Sequence, residues 1–341
     1  MDITLYMLIF AFVGGAFGAL IGALPNFILC GFVALAGIVA TMAGATFDFN
    51  GAIVWGAFLG PQVGFAGGAA ATIYAKKIGV LGSGKDIGAS LAGLKRPDVI
   101  VVGGVFGIVG YLIAQGLGVL LPGKLNTVAT SIFIVALLSK AIFDTPNVMG
   151  KVPEDVARSG GRFSARCEQV WVDVCRTPAE LTLTGLVVGG LSASATAVMM
   201  QDPRTAPVAT VLGFSISTIS ILFVMIGVKL PITHHMALAA SVAASLTSGD
   251  VIWGMAFGVL AAFTAHYLAQ TFLVFGDTWV DPPSMALSVL SVVSLWIFPA
   301  LGLYSTGLVI PIAVLVIAVA VSMLTYSRSR SVEAKPLEPA V

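Results

Sequence analysis

GAIVWGAFLG at 51–60 and GDVIWGMAFG at 249–258 share the frame GxxxWGxxxG inside two long apolar stretches of one chain. Laid on one another, Gly51, Trp55, Gly56 and Gly60 meet Gly249, Trp253, Gly254 and Gly258. Farther along, Phe65 meets Phe263 and Ala71 meets Ala269 without a gap. Upstream, Leu24-Pro25 meets Leu230-Pro231 across an insertion around 46–50. Apolar segments resemble one another by chance, but a Trp-Gly pair flanked by glycines at fixed spacing is more specific. The chain is therefore expected to hold two copies of one helical unit, as many transporter folds do.

Composition names the solvent. Of 341 residues, 58% are hydrophobic and 10% charged, with a mean hydropathy of +1.02. An average soluble domain carries about 25% charged residues. So little charge cannot cover a water-facing surface. That excludes a cytosolic enzyme, a secreted disulfide scaffold and a nucleic-acid binder. The lipid bilayer is the first expected partner. The 39 glycines suit helices that approach closely in lipid. Cys30, Cys167 and Cys175 fit no zinc spacing and no disulfide framework, and neither metal nor cofactor is expected.

A membrane-crossing helix needs about 20 apolar residues. Eleven runs qualify: 4–23, 27–44, 51–75, 98–121, 125–144, 180–200, 205–229, 232–248, 250–275, 285–304 and 307–326. The second and eighth are short, as a tilted or partial crossing would be. Residues 5–24 lack the basic flank of a signal peptide and are expected to stay as a span. The expectation is an all-α, polytopic membrane protein of about 11 transmembrane helices in two repeats of about five. It divides into a first repeat (1–144), a cytoplasmic loop (145–179), a connecting span (180–204), a second repeat (205–326) and a disordered cytoplasmic tail (327–341). Matched spans lie six crossings apart, so both copies face the same way, the parallel kind; one miscounted span would make them inverted.

Positive residues orient such a chain. With the N-terminus outside, all but Lys124 and Arg204 of the 17 Lys and Arg residues fall on the inner side. The localisation read from this is a bacterial-type inner membrane with a cytoplasmic C-terminus. Within the 145–179 loop, Phe163, Cys167, Val170, Trp171 and Val174 recur at helical spacing among Arg158, Arg162, Arg166 and Arg176. That pattern fits a short helix on the inner membrane surface or a solvated linker.

Polar groups in the hydrocarbon zone are expensive and mark pathways. Counting inward from Gly51 puts Pro61-Gln62 about 16 Å down, near the midplane. Gly60, Pro61 and Gln62 open the stretch GPQVGFAGG, where proline removes a helix hydrogen bond and glycines loosen the backbone. A broken helix lining a site and a kink absorbed by neighbouring helices both fit. His266 lies in the ninth span, one copy on from Gly68, beyond the repeated Gly258. An imidazole there either meets substrate or a proton, or is satisfied structurally. Gly60, Pro61, Gln62, Gly258 and His266 are the expected substrate-binding residues. Asp48 and Asp250, at the outer ends of spans three and nine, are either a carboxylate mouth or helix N-caps. Asn26 and His234 mark the inner ends of spans two and eight, where a gate would sit. GVLGSGKD (79–86) approaches the phosphate-loop pattern but ends on Asp86 where a hydroxyl is required, so a surface or re-entrant loop is expected.

With no HExxH, GxSxG or paired intramembrane carboxylates, no enzyme is expected. The function that fits is a permease moving a small polar solute or ion between the two repeats, with proton or cation coupling as an option. A passive channel and a membrane subunit of a larger complex are the alternatives. A homo-oligomer is compatible with all three.

Overall fold

In a computed structural model, the chain is described over residues 3–144, 147–164 and 167–333, with side chains through 326. Among the described residues, eleven helices of seven or more residues form the body. They are α1 (Leu5–Ile21), α2 (Ala23–Met42), α3 (Gly64–Lys77), α4 (Pro97–Leu120), α5 (Thr127–Phe143), and, beyond the five-residue α6 (Glu154–Arg158), α7 (Pro178–Met199) and α8 (Val211–Met225). Then come α9 (His234–Leu246), α10 (Val251–Phe272) and α11 (Pro282–Val292), which runs through a π-turn into the stub α12 (Phe298–Ala300), and finally α13 (Val309–Glu333). Each of the eleven expected spans meets one of the long helices.

Among the described residues, six helical stretches are long and apolar enough to cross a bilayer, and α1, α5 and α8 are shorter apolar helices. Large side chains such as Leu5, Val187, Leu191 and Ile317 point outward. On a water-facing surface this would be an aggregation hazard, whereas lipid welcomes it. The chain is a multi-pass membrane protein.

The core is two equivalent glycine crossings. A Cβ on Gly107 of α4 would lie 2.8 Å from the Gly15 Cα of α1. A Cβ on Gly258 of α10 would lie 2.7 Å from the Gly189 Cα of α7. The remaining neighbours also correspond, Ala11 O and Gly15 N in one copy, Gly185 O and Gly189 N in the other. Lipid gives helices no hydrophobic reason to associate, so backbone-to-backbone approach supplies the packing. Around each crossing α3 packs on α1 and α4 as α9 packs on α7 and α10.

This equivalence corrects the expected register. The copies are α1–α5 and α7–α11; the 180–204 segment belongs to the second copy as α7 and is not a connector. Trp55 and Trp253 are not equivalent: Trp55 follows a π-turn (Asn50–Val54) in a non-helical stretch, and Trp253 sits in the first turn of α10. The matching sequence is instead Asp98-Val-Ile…Gly103-x-x-Phe106-Gly107 against Asp250-Val-Ile…Gly254-x-x-Phe257-Gly258, with one residue of slippage.

The copies also face opposite ways. Where they meet, α5 runs antiparallel to α11: Asn126 N donates to Ser291 Oγ (2.8 Å) at one end and Lys140 Nζ to Thr278 Oγ1 (3.1 Å) at the other. In the second pair the start of α2 and the end of α8 meet the same loop, Gly22 beside Gly88 and Gly88 beside Met225. Equivalent helices meeting antiparallel across a pseudo-axis put that axis in the membrane plane. The repeat is inverted, five crossings apart, and the expected parallel arrangement is set aside.

Two local expectations also change. No helix covers 163–174 among the described residues; Cys167 and Cys175 are buried, Trp171 lies on His235, and Arg166 falls outside the described residues. The last helix continues to Glu333 where disorder was expected from 327, and 334–341 lie outside the described residues.

Candidate functional site

The helices α3 and α9 are short, 14 and 13 residues, and unlike the 11-residue α11 neither is prolonged by a π-turn and a further helical stub. At 1.5 Å per residue each spans only about 20 Å of a core roughly 30 Å thick. The missing part is irregular backbone, 55–63 before α3 and 226–233 before α9. Of the two readings of Pro61, a broken helix and an absorbed kink, the backbone shows the break, and the inverted repeat supplies its counterpart. Non-helical backbone at membrane depth survives only where protein or a cavity satisfies it.

Both breaks border one cavity of about 660 Å³ between the copies. Phe27, Trp55, Pro61 and Phe65 line it from the first copy, Phe214 and His234 from the second. Phe27 is the hub: its ring lies 5.6 Å from Phe65, 5.9 Å from Phe214 and 4.9 Å from His234. The cavity reaches from Asn126 at the head of α5 to Lys85 and Asp281 at the other end. Ser291, which takes the Asn126 N–H, lies ten residues along α11 from Asp281, about 15 Å.

Loops strap the Lys85 end. Lys85 Nζ donates to Val274 O (3.0 Å), Trp279 N to Gly84 O (2.9 Å) and Arg162 to Thr271 O (2.8 Å). Burial pushes the Lys85 ammonium below its ordinary pKa, and Asp277 partly opposes that. Asp281 caps α11, its carboxylate accepting from Ser284 N (2.8 Å) and Trp279 Nε1 (3.2 Å).

Of the residues expected from sequence, Pro61 and His234 line the cavity. Gln62 is buried and straps its own segment, Nε2 donating to Trp55 O (2.7 Å) and Gly56 O (3.3 Å). Gly60 lets that amide fold back, since a Cβ there would meet it. Gly258 belongs to the α7–α10 crossing. His266 borders a separate crevice of about 10 Å³ with His235 and Trp171. Asp250 caps α10 through Ile252 N (2.8 Å), and Asp48 takes Gly51 N (2.8 Å). Asn26 is fully buried against Gly64 at the head of α3, its amide without a hydrogen-bond partner among the described residues. Among the described residues no cluster of three or more His, Cys, Asp or Glu is placed to hold a metal.

In the GxxxWGxxxG frame Leu260 stands opposite Gln62, and on sequence alone Gln62→Leu is expected to be tolerated. The geometry reverses this. Leucine leaves the part-buried Trp55 and Gly56 carbonyls without the amide that straps them, a loss of about 1–3 kcal/mol. Unfolding in detergent measures it; a variant as stable as the parent would mean Gln62 is not the strap.

Sequence reasoning missed Phe27, Phe214, Trp279 and Asp281. Hydropathy scores an aromatic alike whether it faces lipid or a cavity, so those rings carried no signal. Asp281 did carry one, as an N-cap before Pro282-Pro283.

The model of a family of unknown function matches the chain twice, over residues 1–159 and 154–313. The second match begins ahead of α7, in keeping with the packing. No curated protein and no solved structure matches.

Proposed function

The chain belongs to that family, DUF7973, and we propose that its members' inverted copies frame a membrane carrier for a small solute. One observation carries the reading: a 660 Å³ cavity between the copies, on which a broken helix from each copy converges. Binding at such breaks, with one copy rocking against the other, is a recurring transporter design. A cavity of this size is in the range of small-molecule sites. Its aromatic walls favour a solute with an apolar body over the small polar solute or ion expected from sequence. The reading assigns the chain no catalysis. Charge asymmetry supports an inner-membrane setting, with 77–97 and 145–178 in the cytoplasm and the N-terminus outside.

Thiol accessibility tests this without knowing the solute. In a background lacking Cys30, Cys167 and Cys175, Leu287→Cys places a thiol in the cavity and Ser159→Cys one in the loop. A membrane-impermeant reagent is expected to modify Ser159→Cys only from the cytoplasmic face, and Leu287→Cys from one face at a time. Reaction of Leu287→Cys from both faces at once would favour a channel. An unreactive Leu287→Cys beside a reactive loop control would overturn the pathway altogether.

A further inference from the structure

Helices α3, α5, α8, α9 and α11 begin at the cavity, and early N–H groups are taken at three of them, at α5 by the Asn126 side chain, which accepts from Ala129 N. At α3 the early N–H groups are taken internally, Gly64 N by Gly60 O and Ala66 N by Pro61 O. At α11 the Asp281 carboxylate takes Ser284 N. Like α8, α9 has no side-chain cap: Thr233 stands at its N-cap and makes no such bond. Its first free N–H groups, on His234, His235 and Met236, have no hydrogen-bond partner among the described residues. These three residues are all buried. A helix end buried without partners is costly unless something satisfies it.

A second observation marks the same place. The His234 side chain is 6% exposed, lines the cavity, and its Nδ1 has no hydrogen-bond partner among the described residues. Phe27 and Phe214 hold the ring edge-on at 4.9 and 6.0 Å, so it is fixed without being satisfied. Unpaired N–H groups at the positive end of a helix dipole form an anion site. The surrounding wall of Phe27, Phe65, Trp55 and Phe214 offers an apolar surface.

We propose that the head of α9, with His234 beside it, binds the carboxylate of a small monoanion whose apolar body rests on the Phe27–Phe214 wall. This rests on the carrier reading and names its substrate class. The free N–H groups donate to the carboxylate oxygens, completing the α9 cap as Asp281 completes that of α11. Only one copy carries such a site, because the α3 break is closed on itself by Gly60 and Gln62. Substrate therefore meets an asymmetric pair of breaks, one that binds and one that frames.

Equilibrium titration of the detergent-purified protein decides it. Cyclohexanecarboxylate, cyclohexanecarboxamide and cyclohexylmethylamine share a body and differ in the head. The ammonium is the opposing probe, since Asp86 and Asp281 also line the cavity. Saturable binding of the carboxylate is expected, with amide and amine weaker by at least about tenfold. Thr233→Asp installs a resident carboxylate at the N-cap, a favourable capping residue. It is expected to weaken the carboxylate probe by at least about tenfold while the melting temperature holds or rises. Amide or amine binding as tight as the carboxylate, or no saturation by any probe into the millimolar range, overturns the assignment. So does a folded Thr233→Asp protein that binds like the parent; if that variant fails to fold, the three-probe comparison on the parent decides. Loss of this site with Leu287→Cys still accessible leaves the carrier reading standing, whereas an inaccessible Leu287→Cys removes the carrier.

Discussion

Gly107→Val and Gly258→Val are expected to destabilise the protein by comparable amounts, at or above the upper end of the roughly 1–3 kcal/mol typical of overpacking. At both positions the atoms that a side chain would strike are backbone. Gly107 faces Ala11 O and the Cα and N of Gly15; Gly258 faces Gly185 O and the Cα and N of Gly189. No rotamer change relieves such a clash, so the helices must separate. Separation then forfeits the van der Waals packing that holds helices together in lipid. Gly116→Ala is the control, because a Cβ there meets nothing within 4 Å. Alanine in an open helical position is expected to be neutral or to stabilise by about 0.5–1 kcal/mol. Thermal unfolding in one detergent compares all three. A large loss at Gly107 with none at Gly258 would break the equivalence of the two copies; silence at both would deny the close crossings.

The same glycines show what the sequence could and could not tell. Eleven apolar runs were legible because lipid imposes a length on every crossing, and each run became a helix. The break at Pro61 was legible because proline and four glycines leave a helix little to hold it. The register of the repeat was not. GxxxWGxxxG occurs twice, but at 249–258 Asp250 caps a straight helix, while at 51–60 Asp48 heads a π-turn that dissolves before Pro61. Identical letters lie in different backbones there. The informative frame was the weaker-looking Asp-Val-Ile…GxxFG, whose glycines must be glycine because another helix's backbone lies against them. Misplacing the register by one crossing also turned an inverted repeat into a parallel one. The candidate site suffered for a related reason. Gln62 and His266 stand out in a row of apolar letters, yet one straps its own backbone and the other borders a small crevice. The cavity itself is built from aromatic residues that hydropathy assigns to lipid as readily as to a binding wall.

Asp144→Ala is expected to cost about 3–5 kcal/mol, the largest single effect of a polar substitution in this protein. Lys140 is 1% exposed and stands 3.6 Å from the Asp144 carboxylate one helical turn on. Thr278 completes a closed triangle: its hydroxyl accepts from Lys140 Nζ (3.1 Å) and donates to Asp144 Oδ2 (3.1 Å). Lys76, on α3, approaches the same carboxylate at 3.8 Å. Removing Asp144 leaves a buried ammonium with the Thr278 hydroxyl and the charge of Asp277. Removing the charge from the other side, as in Lys140→Met, leaves Asp144 with Lys76 and the Thr278 hydroxyl, and its cost is expected to be clearly smaller. The asymmetry is the test, read as the difference in unfolding free energy between the two variants. Equal losses would mean that packing around the side chains, not the stranded charge, sets the stability. The triangle also ties α5 to the 273–281 loop, whose Trp279 and Asp281 form the rim of the cavity. A folded Asp144→Ala protein is therefore expected to react faster at Leu287→Cys than its parent, because the rim has lost its anchor. Unchanged reactivity would confine the triangle to stability and detach it from access to the site.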